Sequence, residues 1–123
     1  MQWNIDSERP VYIQLIEQIQ AGIISGHFNL GDKLPSVREL AAEAGVNPNT
    51  MQRALAELEQ TGLVFTNRTS GRYITSDAEI IKKLKKQSAK NIILDFIEKM
   101  KQIGYKEEEI LESITKILEE MKK

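Results

Sequence analysis

Two helix signals meet at Ala44-Gly45-Val46-Asn47 with only four residues to turn the chain. Ser36 stands three residues before Glu39, the spacing at which each side chain satisfies a free amide at a helix start. Val37, Leu40, Ala41 and Ala44 then fall on one helical face. Gly45 ends that helix, because glycine takes a positive φ without steric cost. Asn47-Pro48 reads as an N-cap followed by proline at the first helical position, where a missing N–H does no harm. A second helix is predicted over residues 48–61, stopped by Gly62. Two helices joined by a short glycine-containing turn make a helix-turn-helix, with Val46 expected as a wedge between them.

The flanks extend this unit. A helix is predicted after Pro10, which suits the first helical position. Leu15, Ile16, Ile19 and Ile23 form its apolar face, and Gly26 stops it. Residues 27–35 read as a loop with Gly31-Asp32 as its turn. Residues 63–66 and 72–75 read as two short strands around the polar loop 67–71, which ends in Gly71. A helix-turn-helix followed at once by a hairpin is a winged helix-turn-helix. Composition changes at Ser76. Residues 1–76 hold six of the seven glycines and all three prolines, whereas 77–123 hold only Gly104 and carry 11 of the 17 basic residues. Two helices are predicted there, from Ala78, capped by Asp77, to about Ile103, and over residues 107–121. The expected fold class is α+β, mostly α. A winged helix-turn-helix domain (1–76) precedes a two-helix dimerisation region (77–123).

Composition excludes several function classes. With no cysteine there is no disulfide, iron–sulfur cluster or thiolate zinc site. His27 is the single histidine and, in a Gly-His-Phe turn, reads as a surface residue, so no metal or other cofactor is expected. No phosphate-cradling loop or nucleophile elbow is present, which argues against an enzyme. The first ten residues lack the basic and apolar regions of a signal peptide, and no apolar run approaches a membrane span of roughly 18 residues. A cytoplasmic protein without a membrane partner is expected. The net charge of −1 gives no bulk attraction to nucleic acid, and residues 1–76 carry six basic and eight acidic side chains. Any binding to DNA must therefore rest on local placement.

That placement is visible on the helix over residues 48–61. At 100° per residue, Met51, Ala54, Leu55 and Leu58 share one face and must be core. Asn49, Gln52, Arg53, Ala56 and Gln60 lie opposite. Amides and an arginine at a helix N-terminus are what a recognition helix offers to base edges in the major groove. The competing reading is an ordinary polar surface. Arg38 opens the preceding helix, whose N-terminal amides favour an anion such as phosphate. Arg68 and Arg72 flank the hairpin tip, where a wing meets phosphates or the minor groove.

The segments Leu34-Pro35-Ser36-Val37-Arg38-Glu39-Leu40-Ala41 and Gly45-Val46-Asn47-Pro48-Asn49-Thr50-Met51-Gln52-Arg53-Ala54-Leu55 resemble the GntR-family DNA-binding domain. Leu58-Glu59 with Gly62-Leu63-Val64, and Pro10-Val11-Tyr12-Ile13-Gln14-Leu15 with Ile23, Ser25 and Gly26, extend the resemblance over residues 5–76. It implies a bacterial transcription factor, usually a repressor, bound as a dimer to a palindromic operator of double-stranded DNA. The family's DNA contacts carry over to Arg38, to Asn47, Pro48, Asn49, Thr50 and Gln52, and to the wing near Arg68 and Gly71, with Arg53 following on the same face. One departure stands out. The family wing often reads Arg-Gly-x-Gly, and Thr69 here replaces the first glycine.

The 47 residues after Ser76 are too few to enclose a metabolite pocket or to fold alone. Their apolar stripes need a partner, and a second copy of the chain is the simplest one. The expected seam is Ile81, Leu84, Ile92, Phe96, Met100, Ile110, Ile114, Ile117, Leu118 and Met121. Packing of these stripes on the chain's own winged domain is the alternative. Lys82, Lys83, Lys85 and Lys86 read as a solvated face. The short tail resembles the YtrA subfamily, which implies a small dimeric regulator, often of a transporter operon. A small-molecule effector is not evident in the sequence. The rival function is a helical protein-interaction module that has lost DNA binding; the amide-rich helix face argues against it.

Overall fold

The computed structural model describes all residues 1–123. Five helices and one hairpin follow in the order α1 (Val11–Ile24), α2 (Val37–Ala44), α3 (Pro48–Gln60), β1 (Val64–Asn67), β2 (Gly71–Ile74), α4 (Ala78–Gln102) and α5 (Glu107–Met121). No helix is long and apolar enough to cross a membrane. The chain forms two compact units, Met1–Lys85 and Lys86–Lys123, with α4 running through the division.

Local chemistry sets the helix ends of the first unit. Ser36 Oγ accepts from the Glu39 N–H at 3.1 Å and donates to the Glu39 carboxylate, capping α2. Gly45 ends α2 in the left-handed region, at φ 69° and ψ 36°. Asn47 Oδ1 accepts from the Asn49 N–H at 2.8 Å, with Pro48 at the start of α3. Pro10 sits one place earlier than expected: its ψ of 130° keeps it outside α1 as the N-cap.

Leu15 and Ile19 of α1, Leu40 of α2, Met51, Leu55 and Leu58 of α3, and Ile74 of β2 form a fully enclosed core. Ile80, Ile81 and Leu84 at the start of α4 pack against it, which is why this unit extends past Ser76.

Two features were not visible in the sequence pattern. Residues 32–34, read as loop, form an additional edge to the hairpin. Lys33 pairs antiparallel with Tyr73, Leu34 N–H donates to Arg72 at 2.8 Å, and Ile74 N–H donates to Asp32 at 2.8 Å. The N-terminal segment is strapped along α1 by two glutamines. Gln14, 1% exposed, accepts from Asp6 N–H and donates to the carbonyls of Asp6 and Arg9. Gln18 makes the same reciprocal pair with Asn4. Three hydrogen bonds offset the cost of burying the Gln14 amide.

In the second unit, Gly104 at φ 97° closes α4, with Tyr105 N–H donating back to Met100 at 3.1 Å. Lys106 N–H donates to the Glu109 carboxylate ahead of α5. Ile110 is buried, but Ile92, Ile117, Leu118 and Met121 are between 54% and 75% exposed in the single chain.

Candidate nucleic-acid interface

The exposed face of α3 follows from its buried one. Met51, Ala54, Leu55 and Leu58 are at most 1% exposed. The helix period therefore turns Asn49, Gln52, Arg53, Ala56 and Gln60 to solvent, and all five are exposed. Asn47 and Pro48 are exposed at the helix start, and Thr50 is half-buried. The Gly45 turn fixes this helix against α2: Val46 N–H donates to Ala41 at 3.0 Å, and Val46 packs partly buried against the core. Arg38 is exposed on the first turn of α2 and pairs with no carboxylate.

The wing is built without glycine at Thr69. Ser70 N–H donates to the Asn67 carbonyl at 3.3 Å, closing a four-residue turn. Asn67 Oδ1 also accepts from both the N–H and the hydroxyl of Thr69. Within the wing only Gly71, at φ 116°, takes a positive φ, and no residue other than glycine does so anywhere in the chain. The Asn67 side chain thus stabilises the conformation at Thr69. Arg68 is exposed at the tip.

Val64 faces Ile74 and Thr66 faces Arg72 across the hairpin, on the side that meets α3. There Glu59 accepts from the Thr66 hydroxyl and from Arg72 Nε, the latter at 2.8 Å. The Thr66 hydroxyl, followed by the Arg72 guanidinium, holds the Glu59 carboxyl below the usual carboxylate range despite partial burial. Arg72, expected as a free residue of the wing, is therefore half-buried and tied to the end of α3. Arg72 also borders a cleft of about 700 Å³ between the head of α2 and the wing. Lys33, Ser36, Thr66, Ser70 and Gly71 also line this cleft.

Arg53 is not simply directed outward. Its guanidinium lies 3.6 Å from the centroid of the Tyr12 ring on α1. Sequence reasoning placed no functional weight on Tyr12, Lys33 or Glu59. Only the pairing of Thr66 with Arg72 across the hairpin could have hinted at a carboxylate on the preceding helix. No group of three or more His, Asp or Glu side chains is placed to hold a metal ion.

Comparison with known proteins gives this arrangement a family. Residues 11–74 match the model of the bacterial regulatory proteins of the gntR family. The chain belongs to the GntR family. It is a DNA-binding transcriptional regulator and not an enzyme. It is 40% identical over 111 residues to the HTH-type transcriptional regulator YhcF of Bacillus subtilis (strain 168), covering 90% of this chain and 92% of YhcF. The HTH-type transcriptional repressor YtrA of the same organism is 45% identical over 73 residues, covering 59% of this chain and 56% of YtrA. A GntR family transcriptional regulator from Listeria monocytogenes superposes with a TM-score of 0.84 at 41% identity, covering 91% of this chain and 98% of that one. The DNA-binding domain of AraR, solved in complex with operator ORR3, superposes with a TM-score of 0.51 at 27% identity, covering 61% and 93%. Within this GntR protein, the winged fold and the two helices beyond it are those the sequence led us to expect.

Proposed function

We propose that this GntR regulator is a homodimeric repressor that reads a palindromic operator with α3. Residues 1–76 bind DNA and residues 77–123 supply the dimer seam. The observation that carries the reading is the exposed amide and arginine face at the start of α3, flanked by Arg38 and a wing with Arg68 at its tip. In this reading Asn49 and Gln52 contact base edges, with Asn47, Pro48, Thr50 and Arg53 beside them. Arg38, Arg68, Gly71 and Arg72 contact backbone. The unpartnered Ile92, Phe96, Ile117, Leu118 and Met121 meet their symmetry mates. Two winged domains held at fixed spacing fit two half-sites of one operator. Bound there, the dimer represses by excluding polymerase. The likeness to YtrA supports the repressor role, the short tail supports a transporter operon as its target, and the DNA-binding role supports a cytoplasmic location.

The test is titration of the full chain on its own promoter fragment at low and moderate salt, against a shuffled duplex. Binding that resists the shuffled competitor and weakens steeply with salt is expected. Arg38→Ala should weaken binding to all sequences about equally, whereas Gln52→Ala should change base preference. Equal losses on every operator variant for both substitutions would refute the division of labour. Binding no better than to the shuffled duplex would refute the operator-reading role.

A further inference from the structure

Tyr12 lies on α1, outside the helix-turn-helix and the wing, yet its ring meets the recognition face. The Arg53 guanidinium sits over that ring at 3.6 Å from its centroid. Arg53 makes no ion pair, and the ring is its partner. Tyr12 itself is half-buried by the packing of α1. We infer that Tyr12 is a positioning residue for operator recognition, holding Arg53 at the flank of α3 where it meets a backbone phosphate. This rests on α3 being the recognition helix.

The physical argument has two steps. Asn49 and Arg53 are four residues apart and share one face of α3, with Gln52 beside them. A guanidinium drawn from that face toward α1 lies beside the line of Asn49 and Gln52. It therefore reaches the strand bordering the groove, where phosphates are, rather than the base edges on its floor. The second step is entropic. A free arginine must be ordered when it contacts DNA, at about 0.5–1.5 kcal/mol for a rotamer-rich side chain, or about two- to tenfold in Kd. Stacking on Tyr12 orders it beforehand and leaves the in-plane N–H donors free for a phosphate oxygen.

The test uses the full chain and the promoter duplex of the previous section. Tyr12→Phe keeps the ring face and should bind within about twofold of the wild type. Tyr12→Leu should weaken binding about two- to tenfold per half-site. Arg53→Ala should weaken it at least as much and lower the salt slope by about one per half-site. Adding Tyr12→Leu to Arg53→Ala should cost nothing further, because the ring acts only through the arginine. Arg53→Lys, at an exposed position with little risk to folding, keeps the charge and loses the planar fork, and should also bind more weakly.

Unchanged or tighter binding by Tyr12→Leu would overturn the inference, because the ring would then be idle or sequestering Arg53. An equal further loss in the Arg53→Ala background would overturn it too, assigning Tyr12 to packing alone. Should Tyr12→Leu fail to fold, undiminished affinity of Arg53→Lys overturns it. A wild-type protein that does not prefer its promoter to the shuffled duplex refutes the recognition reading itself, and this inference with it.

Discussion

Replacing Gly45 with alanine tests whether backbone conformation, and not space, dictates glycine in the helix-turn-helix joint. Gly45 holds φ 69° and ψ 36°, in the left-handed region. No atom lies within 4 Å of where a Cβ would stand, so the substitution creates no clash. The cost is then the left-handed conformation of an L-residue, about 1–2 kcal/mol. Loss of glycine's freedom in the unfolded chain returns about 0.4–1 kcal/mol. The net destabilisation is about 0–1.6 kcal/mol, or a fall in Tm of up to about 8 °C for a domain of this size. Asparagine tolerates the same region and should lose less than half as much. Urea unfolding at fixed protein concentration measures both, since the proposed dimerisation would make stability concentration-dependent. An alanine variant clearly more stable than the wild type would refute the reasoning, as would one more than about 3 kcal/mol less stable, since open space permits no such loss. Asparagine as damaging as alanine would refute it as well.

Two further outcomes follow from the structure. Glu59 has a depressed folded-state pKa, so its bonds to Thr66 and Arg72 contribute stability that is present above the ordinary carboxylate pKa and lost as pH falls through the folded value. Wild type minus Glu59→Gln should therefore show a stability difference that shrinks below about pH 4.5; a difference flat across that window in urea melts would contradict the assignment. Ile92→Glu with Ile117→Glu alters side chains 69% and 55% exposed in the single chain, so helicity should persist while sedimentation gives a monomer and operator affinity falls; a dimer of undiminished affinity would place the seam elsewhere.

The parts of the fold legible in the sequence are those set within a few residues. Ser36 with Glu39, Gly45, and Asn47 with Pro48 encode their helix ends through bonds to near neighbours, and α2 and α3 begin where those residues place them. Helix α5 covers the predicted residues 107–121, from the acidic turn ahead of its apolar stripe to the stripe's last residue, Met121. The unread parts depend on partners distant in sequence. Lys33 joins the hairpin only because Leu34 and Ile74 find carbonyls across the fold, and nothing in Gly-Asp-Lys-Leu-Pro has strand alternation. The strap over residues 1–9 rests on side-chain amides of Gln14 and Gln18, which any helix surface can carry. At the interface, the wheel separated outward from inward residues on α3 correctly. It could not see that Arg53 is drawn to a ring on α1, or that Arg72 is tied down by Glu59, because a wheel contains one helix at a time.

The side-chain pairing bears on how an acidic chain binds DNA. Six basic residues lie in 1–76, but they are not equivalent. Arg9 donates to both oxygens of Glu17 on α1 and is paired there. Arg72 is anchored through Nε alone and lines the cleft, so its other N–H groups are not bonded within the chain. Lys33, Arg38, Arg53 and Arg68 make no ion pair. At most five cations per protomer can then neutralise phosphates, or about ten in a dimer. Each neutralised phosphate contributes about −0.9 to the salt slope, which sets a ceiling near −9 for the winged domains. The acidic remainder of the surface does not raise that ceiling. A slope shallower than the ceiling fits binding by the two winged domains alone. A steeper one would require phosphates to be met by the exposed lysines of α4, Lys82, Lys83, Lys85 and Lys86, which form no ion pairs and are the next free cations along the chain.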